Sequence, residues 1–197
     1  GGLGNPALAL EINLERLRIR AGSLLDVTAN GQLALAGNLK QPVLKGELTS
    51  GYGRLNYLGT NFVIEDAVAG FHPYQGFQPE ISLSASTWIG EHVIALLMSG
   101  SYPDLQIRLA SEPPLSQQEI MAMLGWPGYE KARGELNTAG AFAKSLFDIL
   151  QGSVQRELVG KMENTLRDEL GLDMLYLEPD LFRRSLRILA GKYVLPK

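Results

Sequence analysis

The side chains best suited to proton transfer near neutral pH, or to metal ligation, are His72 and His92. They stand 20 residues apart, each without a neighbouring cluster of ligands, which is the pattern of surface or turn histidines. Glu65 and Asp66 offer adjacent carboxylates, but they fall where a turn is expected and read as a solvated corner. Cysteine is absent, so disulfides, thiol catalysis and zinc-thiolate sites are excluded. The opening Gly2-Leu3-Gly4-Asn5-Pro6-Ala7 echoes a dinucleotide fingerprint. A true fingerprint follows a strand and opens a helix, whereas here a strand follows, so this stretch reads as a loop. The sequence contains no histidine-glutamate zinc helix, no serine elbow and no phosphate loop with a lysine. Trp88 and Trp126 suit either structural packing or a membrane headgroup layer. Arg183, Arg184 and Arg187 are diluted by Glu178 and Asp180 and read as a solvated face. No catalytic residue, cofactor or metal is therefore expected, and the reading is non-enzymatic. A net charge of -3 supplies no basic surface overall, which argues against nucleic acid as a partner.

With chemistry set aside, the positioning elements carry the information. Ala7 to Leu14 alternates so that Leu8, Leu10, Ile12 and Leu14 share one strand face, and Leu17 and Ile19 follow after a phase slip that predicts a bulge or corner. Leu33, Leu35 and Leu39 alternate after a turn expected at Ala29-Asn30-Gly31. Further strands are expected over 43–50, 53–58, 61–65, 67–71, 80–88, 91–100 and 104–110. Turn chemistry separates most of them at Gln41-Pro42, Gly59-Thr60, His72-Pro73, Gly76, Gly90 and Tyr102-Pro103. This spacing indicates a sandwich, a barrel or an open roll. No helix-period segment lies between the strands, so the aliphatic face must meet itself or hold something else. Periodicity leaves both open.

The character changes near residue 111. Pro113-Pro114 ends the strand region, and Ser116-Gln117-Gln118-Glu119 forms a capping box before a short helix through Ile120, Met123 and Leu124, stopping at Gly125 or Pro127. From 139 to 170 apolar residues recur every fourth position, from Phe142 through Leu158 and Met162 to Leu170. Each such step over-rotates by about 40° on a straight helix, so two or three short amphipathic helices are expected, with kinks at Gly152 and Gly160. Completion of the core is their default role. Residues 173–177 and 185–189 read as returning strands, with 191–197 lacking a closing partner. The expected organisation is one domain: a β-rich region over 1–112, a helical segment over 113–171 and returning strands over 172–197. No apolar run approaches the roughly 20 residues that cross a bilayer, and no signal pattern opens the chain.

Several stretches resemble the carboxy-terminal domain of the TamB family. They are Gly37-Asn38-Leu39-Lys40-Gln41-Pro42-Val43-Leu44-Lys45-Gly46, the run Gly53 to Phe62, Pro79-Glu80-Ile81 with Ser84 to Thr87, the sheet-to-helix junction Ser111 to Leu124, and Gly191-Lys192-Tyr193. The resemblance implies a mainly β fold: a bent antiparallel or mixed sheet, open and sandwich- or barrel-like, often called a β-taco. It carries a hydrophobic groove, with short amphipathic helices in the carboxy-terminal half. It further implies a periplasmic segment of a bridge between inner and outer membranes, with the inner-membrane anchor and the terminal strands lying outside this sequence. Phospholipid acyl chains are the implied cargo. The implied partner of the full-length protein is an outer-membrane barrel such as TamA or BamA, within the translocation and assembly module. The alternative is a chaperone or assembly module that captures outer-membrane strands. On this reading the groove would be lined by Leu33, Leu35, Leu39, Leu48, Leu55, Phe62, Ile64, Ile81, Leu83, Val93, Leu97, Leu105 and Ile107.

Overall fold

The computed structural model describes residues 7–38, 40–101, 103–125, 144, 148, 159–180 and 185–193. Its body is one antiparallel sheet of β1 (Ala7–Ala21), β2 (Leu25–Asn38), β3 (Pro42–Ser50), β4 (Gly53–Tyr57), β5 (Thr60–Phe71), β6 (Glu80–Ile89), β7 (His92–Gly100) and β8 (Gln106–Glu112). The strands follow one another as a meander, except that β3 and β4 run end to end in the single lane between β2 and β5. Among the described residues the helices α1 (Gln117–Met123) and α2 (Gly160–Leu170) follow, with Lys144 and Asp148 also helical, and then a separate hairpin of β9 (Met174–Asp180) and β10 (Ser185–Gly191). Among the described residues no helix is long and apolar enough to cross a membrane.

The sheet is bent along one line that crosses its strands. On β1, Leu14 pairs with Gly31 and Leu17 with Ala29, so Glu15 and Arg16 together face Asn30. Arg16 takes a φ of 52° and donates its N–H to Asn30 Oδ1 at 2.9 Å. In the next lane Ser50, Gly51 and Tyr52 stand opposite Thr28 and Ala29, and the Ser50 hydroxyl donates to the Thr28 carbonyl at 2.6 Å. On β5, Ile64 pairs with Ala85 and Asp66 with Ser84, which leaves Glu65 as an extra residue. Each extra residue bends its strand, and aligned bulges bend the sheet.

This line explains two departures from expectation. The segment Ala29-Asn30-Gly31 is not a turn but mid-strand: Asn30 serves the bulge, and a Cβ at Gly31 would collide with the Glu47 carbonyl of β3. The turn between β1 and β2 lies instead at Gly22–Leu24, where Gly22 has a φ of 55° and Leu24 N–H donates to Ala21 O at 2.9 Å. Likewise 61–65 and 67–71 are one strand, and Glu65-Asp66 is its bulge. The phase slip expected before Leu17 is the β1 bulge itself.

The inner face holds two cores. The first gathers Leu55, Phe62, Ile64, Ile94, Leu96 and Leu109 and is closed by Ile120, Met121 and Leu124 from and just after α1. The second gathers Leu8, Leu10, Ile12, Leu14, Leu33, Leu35 and Leu44 and is closed by Val159, Met162 and Leu166 with Leu175 and Leu177 of β9. The cover that no segment between the strands could supply thus comes from elements that follow them. The capping box forms as expected: Glu119 N–H donates to Ser116 Oγ at 3.3 Å and Ser116 N–H to Glu119 Oε2 at 2.8 Å. Gly125, with a φ of 72°, ends that helix. Of the expected helices over 139–170, the described part is helical Lys144 and Asp148 together with α2, which follows Val159. Gly191 pairs with Met174, and Tyr193 N–H donates to Asp173 Oδ2 at 2.6 Å, so the segment after β10 does begin with partners.

Candidate apolar site on the inner face

Between the two helix-covered cores no described residue covers the inner face, and a partly open cavity of about 120 Å³ lies there. It is lined by Ile19 of β1, Leu25, Val27 and Ala29 of β2, Leu48, Thr49 and Ser50 of β3, Ile64 to Phe71 of β5 apart from Glu65, Asp66 and Gly70, and Pro79, Ile81 and Leu83 around β6. Local sequence explains the space. Ala67 pairs with Ser50 and Leu83, and Ala69 with Leu48 and Ile81, so methyl groups stand where both neighbouring lanes carry larger side chains. Ala29 repeats the pattern on β2. The cavity also sits on the bend line, where the extra residues draw strands out of register. The one polar side chain deep in this wall, Ser50, already donates to Thr28 O, so the wall offers hydrocarbon contact and little else.

The thirteen groove residues named from the sequence fall into separate groups. Leu48, Ile64, Ile81 and Leu83 line the cavity. Leu33 and Leu35 are buried in the second core, and Leu55, Phe62 and Leu105 in the first, with Ile107 packed against it. Leu39 lies outside the described residues. On β7 the inward parity is Ile94, Leu96 and Met98, so Leu97 is 44 % exposed and Val93 is half-buried on the other side. The cavity residues that pattern reading passed over, Ile19, Leu25, Val27, Ala29, Ala67, Ala69 and Phe71, belong to the same alternating face. The alanines give a weak hydropathy signal although their small size makes the space.

The chemically capable residues lie elsewhere. His72 Nε2 is 3.5 Å from Glu80 Oε2, and its ring stacks on Tyr74 at 5.6 Å. Among the described residues no group of three or more His, Asp or Glu could hold a metal ion. Trp88 is 72 % exposed on the outer face, opposite Val93, while Trp126, Arg183 and Arg184 lie outside the described residues. Arg187 Nη1 is 3.2 Å from Glu178 Oε2 on the terminal hairpin. The shifted acids are structural. Arg18 donates twice to Asp26, through Nε at 3.0 Å and Nη2 at 2.8 Å, which holds the Asp26 carboxyl below the usual range. Glu119 is held low chiefly by the Ser116 backbone N–H it accepts, and then by the Ser116 hydroxyl.

A curved antiparallel sheet, with helices over both ends of its inner face and an apolar cavity between them, defines a mainly β domain organised around a hydrophobic surface. The TamB C-terminal domain matches residues 4–197, nearly the whole chain, and the chain belongs to that family. No curated protein matches it. Membership ties the chain to a TamB-related role at the cell envelope.

Proposed function

We propose that this domain is a non-enzymatic segment of a periplasmic bridge that shelters phospholipid acyl chains as they pass between the inner and outer membranes. The observation that carries the reading is the apolar cavity left open between two filled cores. An acyl chain in water meets a cost of about 0.8 kcal/mol per CH₂, so a long tail faces a barrier of order 10 kcal/mol. A wall of Leu, Ile, Val and Ala side chains removes most of that barrier. Because the wall is about as oily as a bilayer interior, it does not trap the chain, and weak net binding is what sliding requires. Polar lipid headgroups remain wet at the open side of the cavity.

A second reading is strand capture by a chaperone or assembly module. It draws on the open edges of the sheet: β1, 15 residues long, and β8 each pair on one side only among the described residues. A photo-activatable residue placed at Ala69 in the full-length protein separates the two readings, with the exposed Trp88 position as control. Trapped lipid at position 69 and little at 88 is the expected result. Polypeptide trapped at 69 in place of lipid contradicts the acyl-chain reading, and equal lipid labelling at both positions contradicts a role for the inner face.

A further inference from the structure

The apolar wall of the cavity does not stop at its rim. Ala29, Leu48 and Phe71 line the cavity and are also members of the second core, and Ile19 packs against both cores. From these residues the same surface continues through Leu33, Leu35 and Leu44 to the place where α2 rests. The cavity itself is short. An engineered cavity of about 150 Å³ accepts benzene, so about 120 Å³ holds roughly five or six carbons. A longer chain that stays on the described inner face must pass beneath α1 or α2.

The helices differ in how they are fastened. α1 is tied to the sheet by polar contacts: Gln117 Nε2 donates to the Leu109 carbonyl of β8 at 2.7 Å, and Thr60 Oγ1 of β5 donates to the Leu124 carbonyl at 3.4 Å. α2 continues from Val159, whose backbone is already helical. Among the described residues its polar contact beyond itself is Glu163 Oε1, which accepts Leu177 N–H of β9 at 2.6 Å. Among the described residues β9 in turn pairs with β10 and with no strand of the main sheet. α2 and its hairpin therefore form a unit bound to one another by hydrogen bonds and to the sheet through Val159, Met162, Leu166, Leu175 and Leu177. Those side chains are themselves aliphatic, or thioether in the case of Met162, and a hydrocarbon tail can replace them against the wall at little cost.

We infer that the surface beneath α2 is the second half of a long-chain acyl site, and that α2 is its resident occupant, displaced when a long chain enters. The inference rests on the acyl-chain reading of the cavity. Hydrogen exchange of the purified chain tests it, with binding of hexanoic acid and palmitic acid followed separately by calorimetry. Palmitic acid is expected to speed amide exchange across 160–170 and in β9 by about tenfold while α1 is unchanged. Hexanoic acid, which fits the cavity, leaves α2 unchanged. Palmitic acid bound with α2 exchange unaltered or slowed overturns the displacement while leaving the cavity as an acyl site. Binding of neither acid overturns both.

Discussion

At the scale of single residues, the site is made by side chains that are missing as much as by those present. Ala67 faces inward between Ser50 and Leu83 and, like Ala29 and Ala69, leaves space among larger apolar side chains. Its replacement by leucine fills part of the cavity with atoms that have apolar neighbours on most sides. Cavity filling commonly stabilises by about 0.5–2 kcal/mol, and in a chain of this length that corresponds to a rise in Tm of a few degrees. Ala67→Leu is expected to melt higher than the wild type and to carry less lipid. A fall in Tm would mean that the space is already occupied or that the bend line does not tolerate the added volume. Titratable groups contribute to stability and not to the site. Glu119 accepts the Ser116 N–H and hydroxyl as a carboxylate, so its folded pKa lies below its unfolded value. The stability it adds is fully present above about pH 4.3, the ordinary glutamate value, and is lost as pH falls through the lower folded value. Melting curves from neutral pH to pH 3 should therefore show a shallower acid loss for Glu119→Gln than for the wild type. Identical profiles would remove Glu119 from the acid response.

At the scale of elements, the strands were legible because half-buried antiparallel strands write their burial as a period of two. Leu8, Leu10, Ile12 and Leu14 read correctly for that reason, as did the capping box at Ser116, whose signal is local chemistry. Turn signals misled where a residue has two uses. Asn30 and Gly31 resemble a hairpin turn, yet they serve a bulge and a close approach between strands. β7 failed for a different reason: in His-Val-Ile-Ala-Leu-Leu-Met both parities are apolar, so periodicity alone does not choose the face, and pairing of Leu96 with Ala85 and Met98 with Leu83 decides it. Core completion, the default reading for the helices over 139–170, holds for α2, but where each helix lands was not legible. A helix that follows all the strands can fold back over any of them, and sequence order does not say which. Where α1 and α2 land determines the length of hydrocarbon that remains uncovered, and the displacement of α2 by palmitic acid is the expectation that belongs at this scale.

At the scale of the whole molecule, the aligned bulges, the two cores and the cavity have one origin. Extra residues on β1, in the β3–β4 lane and on β5 fall on a single line. The sheet bends there, each half gathers its own core, and the space between the halves is left to Ala29, Ala67 and Ala69. On the proposed reading, a wall assembled in this way would sort hydrocarbon by oiliness and width, because Ser50, its deep polar side chain, is already bonded to Thr28 O. The photo-crosslinking contrast between Ala69 and Trp88 asks whether lipid meets the inner face in the full-length protein. The most direct test of the central claim is mass spectrometry of solvent extracts from the purified chain, wild type against Ala67→Leu, at equal protein loading. The account predicts acyl lipids in the wild-type extract and a clear loss of them in the variant. No lipid in either extract, or equal amounts in both, would contradict it.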